Sequence, residues 1–396
     1  MTVAPERRSG AGPRLIRELN ERLILTEVRR RAPVSRPELG RATGLSKPTV
    51  AQALANLERD GLIRQAGHRS GVAGPAAVLL EPNPSAGHVL ALDVGRQFIR
   101  GAITDLTGRR VAVHKHKVAA RTGIQRADEV IRLGTTLAAS ADIDLGDITQ
   151  TVIGSPGVLE SHRDAITLSP GLPGWERPEV LERLRAAFTD SLVIENDVDA
   201  AALAEQAHGH GRDFDSFAFL SIGTGIGMGL VLGGRLHRGA HGAAGEIAFL
   251  PISDASGTDD RDARKRGAME AAASAAGIVR SARRRGLQGR LSARGVFAAA
   301  AAGDDTAAAV VSEEAQLVAG AIASIVAVVD PELVVLGGGI GQAVGFSAAV
   351  ERALRAMSRI VPDVRVSLLG DDSVVDGCLA EGIDIAWDRL LQQSAG

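Results

Sequence analysis

Phe217-Ala218-Phe219-Leu220-Ser221-Ile222 runs directly into Gly223-Thr224-Gly225-Ile226-Gly227-Met228-Gly229. The apolar run fits a buried strand. The alternating glycines behind it let a backbone lie close to an anion, whose charge successive N–H groups can hold. Glycines at this spacing also serve tight hairpins, and the segment alone leaves both readings open. Two more strand-to-glycine junctions occur, Val89-Leu90-Ala91-Leu92-Asp93-Val94-Gly95, followed by the strand-like Phe98 to Ile103, and Leu333 to Leu336 ahead of Gly337-Gly338-Gly339. Ligands approach open α/β sheets at such strand ends. Apolar runs alternate with helical stretches from residue 87 onward, so the spacing predicts an α/β body.

The pattern before residue 82 is different. Leu15, Ile16, Leu19, Leu23, Ile24 and Val28 recur at helical spacing, predicting a helix over 14–31 that Pro33 ends. Ser35-x-x-Glu38 has the capping-box form and opens a short helix to Thr43, with the turn at Gly44. Ser46 caps a third helix with Pro48 in its first turn and Val50, Leu54 and Leu57 on one face; Gly61 stops it. Helix, glycine turn and helix make a helix-turn-helix, with Ser46, Lys47, Thr49, Gln52 and Asn56 expected to face outward toward a major groove. Strands over Leu62–Gln65 and Ala76–Leu80, around Ala66–Pro75, suit a wing with His68 and Arg69 near its tip. A structural or dimerising three-helix bundle is the alternative.

Charge divides along the same line. Residues 14–70 hold twelve Lys/Arg against six Asp/Glu, whereas the whole chain carries a formal charge of −2. A basic block on an acidic body suits a polyanion partner at one end only, although a solvated basic face would look alike. Cys378 is the one cysteine among 396 residues. That excludes a disulfide framework and thiolate-rich metal sites, and with no apolar run behind the N-terminus it predicts a cytoplasmic protein without membrane attachment. The expected organisation is a flexible tail (1–13), a winged helix-turn-helix (14–81), a linker (82–86) and the α/β body (87–396).

Asp93-Val94-Gly95, Ser155-Pro156-Gly157, Trp175, Glu195-Asn196-Asp197, the Gly223–Gly229 loop, Ala244-Gly245-Glu246-Ile247, Gly267 to Glu270 and Gly337–Gly339 occur in the order and spacing of one family. From about residue 15 onward the chain resembles the ROK family of repressors, open reading frames and sugar kinases. The resemblance implies an actin-like ATPase fold of two lobes, about 87–195 with 375–396 and about 196–374, behind the winged module of the repressor branch. It implies that Asn196, Asp197, Glu246 and Glu270 hold sugar hydroxyls, a task suited to carboxylates and amides. Asp197 also matches the family's kinase base. Read singly, Asn196-Asp197 equally fits a cap for the Ala200–Ala207 helix, and Glu246 a surface position.

Four departures bear on function. Arg96-Gln97-Phe98 stand where the family's kinases carry Gly-Thr-Lys, which argues against ATP as a cofactor. Asp93, Gly95, Gly223, Thr224, Gly225 and Gly227 are then remnants of phosphate loops, with Arg96 as an alternative anion contact. Ala248-Phe249 replace the usual Gly-His, so Phe249 either stacks on a sugar or fills the vacated space. No cysteine lies between Pro251 and Arg266, and Ala268 occupies the last Cys position, so no metal is expected; Asp254, Asp259, Asp260 and Asp262, interleaved with Arg261, Arg264 and Lys265, read as a solvated loop. The wing carries Ala73-Gly74-Pro75 in place of Gly-Arg-Pro, leaving Arg69 for any minor-groove contact. The expectation is a homodimer or dimer of dimers on a double-stranded DNA operator, regulating carbohydrate genes, most simply as a repressor, in response to a sugar or sugar derivative. The alternatives are an ATP-dependent sugar kinase with a fused DNA-binding module and an interaction scaffold.

Overall fold

The computed structural model describes residues 12–69, 77–160, 164–169, 171–252, 263–264 and 266–394. The Ala73-Gly74-Pro75 segment, the four aspartates between 254 and 262, and residues 1–11 lie outside them.

The head comprises α1 (Pro13–Arg31), β1 (Val34–Ser35), α2 (Arg36–Thr43), α3 (Lys47–Arg59), β2 (Ile63–Arg69) and β3 (Ala77–Pro82), the strands ordered β1-β3-β2. β2 extends through Gly67, beyond the expected loop start, because a bulge between Gln65 and Gly67 keeps it paired to β3. Ile24, Leu25 and Val28 of α1 bury against Val50, Leu54 and Leu57 of α3. The other apolar residues of the α1 pattern split from that core. Leu15, Ile16, Leu19 and Leu23 are 40–55% exposed and form an apolar stripe left open among the described residues.

The body has two five-stranded sheets. The first, ordered β10-β7-β4-β5-β6, contains β4 (His88–Val94), β5 (Phe98–Asp105), β6 (Arg110–Lys117), β7 (Gln150–Ser155) and β10 (Leu192–Asn196), with α4 (Gly123–Ser140) and α5 (Pro178–Phe188) on its outer side. A small ribbon, β8 (Val158–Glu160) with β9 (Ala165–Thr167), follows β7. The second sheet, ordered β13-β12-β11-β14-β15, contains β11 (Phe217–Ile222), β12 (Ile226–Leu232), β13 (Arg235–Leu236), β14 (Leu333–Gly337) and β15 (Asp363–Val366). Its outer layer is α7 (Ala268–Ala272), α8 (Ala275–Arg284), α9 (Ala293–Ala301), α10 (Asp305–Val329), α11 (Gly338–Gly341) and α12 (Phe346–Met357). Between the sheets lie α6 (Asp197–His208), packed on the second through Ala201 and Ala202, and α13 (Ser373–Ser394), packed on the first through Cys378, Leu379 and Trp387. The two helices cross where Gly377 meets the Ala200 carbonyl. The core of the head and the side chains around α13 form one continuous apolar cluster.

α10 is long and apolar enough to cross a bilayer by length and composition. Its apolar side chains Val310, Val318, Ile322 and Val326 are consumed by the second lobe's core, which explains that composition. Glu314 is buried among them at 3% exposure with no partner on Oε1 among the described residues. Burial and the neighbouring Glu313 push its carboxyl up to about 8. A folded-state value above the unfolded one makes stability greatest at low pH and erodes it as pH climbs from about 4.5 to about 8. Glu314→Gln is therefore expected to stabilise the chain at pH 8 by on the order of 2 kcal/mol and to be near neutral at pH 5. Urea midpoints at the two pH values test this; equal effects at both would count against it.

Candidate functional site

The turn between α2 and α3 is built as its sequence suggests. Ser46 Oγ accepts from Thr49 N at 3.3 Å, and Gly44 takes the left-handed conformation (φ 69°) that closes α2. Ser35 donates to Glu38 through N and Oγ at 2.8 and 2.7 Å, and Arg69 Nη1 donates to the same carboxylate at 2.9 Å. These bonds hold the Glu38 carboxyl down at about 2. Arg69 thereby ties the wing strand to α2.

Ser46, Lys47 and Gln52 are exposed and Thr49 half-exposed along one side of α3, whereas Asn56 is not an outward residue. It is 5% exposed, donates to Glu21 on α1, and accepts from Gln52 Nε2 at 3.1 Å and Arg59 Nη1 at 3.2 Å. The amide is committed to joining α3 to α1 because a buried side chain must satisfy both ends. Exposed Arg59, one turn further on, was not anticipated.

In the body, the junctions meet at the cleft between the sheets. Asp93 is the penultimate residue of β4, and Gly95 opens a hairpin so tight that a Cβ there would lie 2.6 Å from the Phe98 carbonyl oxygen. Arg126 Nη1 donates to the Gly95 carbonyl at 2.7 Å. Arg100, unforeseen in the sequence, donates to Asp93 Oδ2 at 3.1 Å and to Asp371 Oδ2 at 3.2 Å. Burial and the nearby Asp197 nevertheless push the Asp93 carboxyl up to about 7. Arg96 is exposed at the hairpin.

The alternating glycines of the second loop have separate causes. A Cβ on Gly227 would meet Val198 at 2.9 Å, and one on Gly229 the Val198 carbonyl oxygen at 2.8 Å, so both admit α6. A Cβ on Gly225 would lie 2.3 Å from Glu270 Oε2, which accepts from Ile226 N at 3.2 Å. Arg266 secures that carboxylate, donating to Glu270 Oε1 at 2.6 Å and to the Thr224 carbonyl at 3.3 Å. A Cβ on Gly223 would lie 3.7 Å from Gly339 N, so two of the glycine turns come close together.

Asn196 caps α6, accepting from Val198 N at 2.9 Å and Asp199 N at 3.1 Å, while its Nδ2 donates to the Gly157 carbonyl at 2.9 Å. It joins the helix start to the Ser155-Pro156-Gly157 turn, where buried Trp175 donates Nε1 to Ser155 Oγ at 2.8 Å. Asp197 follows it at the cleft wall, its carboxyl pushed to about 6 by burial. Burial, then Asp197 and Glu270, push the Glu246 carboxyl to about 7, which places the three carboxylates within one electrostatic neighbourhood. Phe249 is 48% exposed in the turn that follows Glu246. Asp197 also lines a cavity of about 210 Å³, together with Phe219, Ser221, Gly338, Gly339, Ser367 and Ser373. Carboxylates in this setting suit hydroxyl donors; among the described residues no cluster of His, Cys, Asp and Glu could hold a metal.

A family model described as ROK family matches residues 89–380, well over half of the chain. The chain belongs to the ROK family. A winged helix-turn-helix DNA-binding model matches residues 17–64 of this ROK protein. The xylose repressor of Bacillus spizizenii is 24% identical over 237 residues, 60% of this chain and 61% of the relative, so the chain spans about three fifths of the relative's length. The crystal structure of a ROK family transcriptional regulator, a homologue of the E. coli Mlc protein, superposes with a TM-score of 0.80 at 24% identity, covering 96% of this chain and 99% of that one. At that identity the likeness is one of fold: winged head and two-lobed actin-like body together. A ROK hexokinase from Thermus thermophilus superposes with a TM-score of 0.65 at 28% identity over 76% of this chain and 99% of its own.

Proposed function

We propose that this ROK protein is a cytoplasmic DNA-binding regulator, a repressor of carbohydrate genes, whose operator affinity is set by a sugar or sugar derivative held at Asn196, Asp197, Glu246 and Glu270 beside Phe249. The observation that carries it is the state of the phosphate loops. Arg100 pairs with the carboxylate of Asp93 and Glu270 lies against Gly225, so both phosphate-loop remnants are engaged by the chain's own side chains, which supports a sensor over a kinase. The relatives' name makes D-xylose the first effector to try. A homodimer suits two-fold operators, and the exposed Leu15, Ile16, Leu19 and Leu23 stripe on the head supports a second copy as its cover.

On this reading Lys47→Ala weakens binding to all duplexes alike and lowers the slope of log K against log salt by about one. Gln52→Ala costs about 1–3 kcal/mol on the selected operator only. Fluorescence anisotropy on selected and random duplexes across a salt series separates the two. Identical losses on both duplexes for Gln52→Ala would remove it from base readout.

The second reading, a sugar kinase, is favoured by Asp197 at the cleft wall and by the hexokinase likeness. ATP turnover over D-xylose, D-glucose and N-acetyl-D-glucosamine decides between them. No sugar-dependent ADP release is expected, and release lost in Asp197→Asn would install the kinase reading instead.

A further inference from the structure

Arg238 joins the elements that meet at the cleft. Its Nε donates to Glu195 Oε2 at 2.9 Å, and its Nη2 donates to Glu195 and to Glu381 on α13. Glu195 Oε1 also accepts from Asn196 N at 3.0 Å, so that carboxylate orients the segment presenting Asp197. Arg238 lies on the connection that carries Glu246, and its carbonyl accepts from Ala244 N at 3.1 Å within that connection. One guanidinium thus holds the start of α6, the Glu246 loop and α13 in a single arrangement.

α13 continues to the head. Glu381, Asp384 and Asp388 recur three and four residues apart, along one side of the helix over about 10 Å. Asp384 accepts from Arg29 at 2.6 Å and Asp388 pairs with Arg22 at 2.9 Å, both on α1, and Arg29 lies 5.6 Å from the Trp387 ring centroid. α1 in turn holds α3 through Glu21 and Asn56.

We propose that Arg238 is a positioning residue that couples occupancy of the cleft to the DNA-binding head, passing a displacement through Glu381 and α13 to Arg22 and Arg29. This rests on the sugar-site reading given above. The two ends differ in the required way. Glu195 and Glu381 are 7% and 12% exposed, so leaving either unpaired is costly and Arg238 moves with both. The head pairs are solvent-screened, with Asp384 74% and Asp388 52% exposed, so they are easily rearranged.

The test uses the full chain, a duplex selected from a random pool, and D-xylose, D-glucose and N-acetyl-D-glucosamine as probes. Wild type should change operator affinity about 5–150-fold on saturation. Arg238→Gln and Glu381→Gln should each reduce that change to less than about twofold, with the sugar Kd of Glu381→Gln within about threefold of wild type and Arg238→Lys restoring part of the coupling. The Asp384→Asn/Asp388→Asn pair, at the exposed end, should uncouple without loss of folding. Hydrogen exchange of residues 13–59 without sugar should rise in Arg238→Gln and Glu381→Gln. Full coupling retained in these variants, or unchanged exchange in the head, overturns the proposal. A wild-type chain that binds none of the sugars overturns the sensor reading, and the exchange arm then still decides whether Arg238 governs the head.

Discussion

Gly377→Ala is expected to destabilise the chain by about 3 kcal/mol or more and to blunt the cooperativity of its unfolding. A Cβ at residue 377 would stand 1.6 Å from the Ala200 carbonyl oxygen and 2.5 Å from its carbon, and these are backbone atoms in the first turn of α6. No rotamer change relieves that contact; the helices must separate. Because α6 is fixed to the second sheet and α13 to the first, separation opens both interfaces at once. Gly320→Ala is the matched control, also in a helix, with nothing within 4 Å of the added carbon. It should stabilise by up to about 1 kcal/mol through helix propensity. Urea denaturation followed by far-UV circular dichroism reads both, and a Gly377→Ala variant as stable as wild type would discredit the crossing as described.

Glu246→Gln is expected to weaken effector binding by about 10²-fold, since bonds from hydroxyls to a carboxylate are worth about 1.5–3 kcal/mol each. The pH dependence is the sharper signature. With its carboxyl at about 7, Glu246 is largely protonated in the sugar-free protein at pH 6, and only the ionised form offers both oxygens purely as acceptors to a pair of hydroxyls. Affinity should fall roughly tenfold between pH 8 and pH 6, with proton release on binding. The linked stability has the same origin: both Glu246 and Asp197 are raised above their unfolded values, so the free protein loses stability as pH rises through about 6 and 7, and ligand offsets the loss. Calorimetric titrations in buffers of differing ionisation enthalpy measure the proton count. A pH-independent affinity in wild type would rule out Glu246 as an acceptor.

Local chemistry was the legible part of the fold. Ser46 and the Ser35–Glu38 pair announce helix starts because a cap is satisfied by residues three positions away. The strand-and-glycine junctions announce the cleft because backbone close approach demands residues without Cβ. Their individual causes were not legible: Gly227 and Gly229 exist for Val198, some thirty residues away, and only Gly225 lies against a polar group of the site. The outward placement of Asn56 failed for the same reason, since the helical period allows either side and Glu21 on another helix decides. Arg266 was within reach, four residues before Glu270 on a helical spacing. Arg238 and Glu381, 143 residues apart, were not, because no local pattern marks a partner that the topology supplies.

The seam between Arg22, Arg29 and α13 has a practical corollary for protein engineers. Arg29 and Asp384 are 355 positions apart in the sequence, so the surface on which the reader sits is encoded at the far side of the gene from the reader itself. Chimaeras that exchange operator specificity between relatives by splicing at the 82–86 junction carry only half of this joint. Carrying matching residues at 384, 387 and 388 along with the module is expected to keep both halves of the joint together.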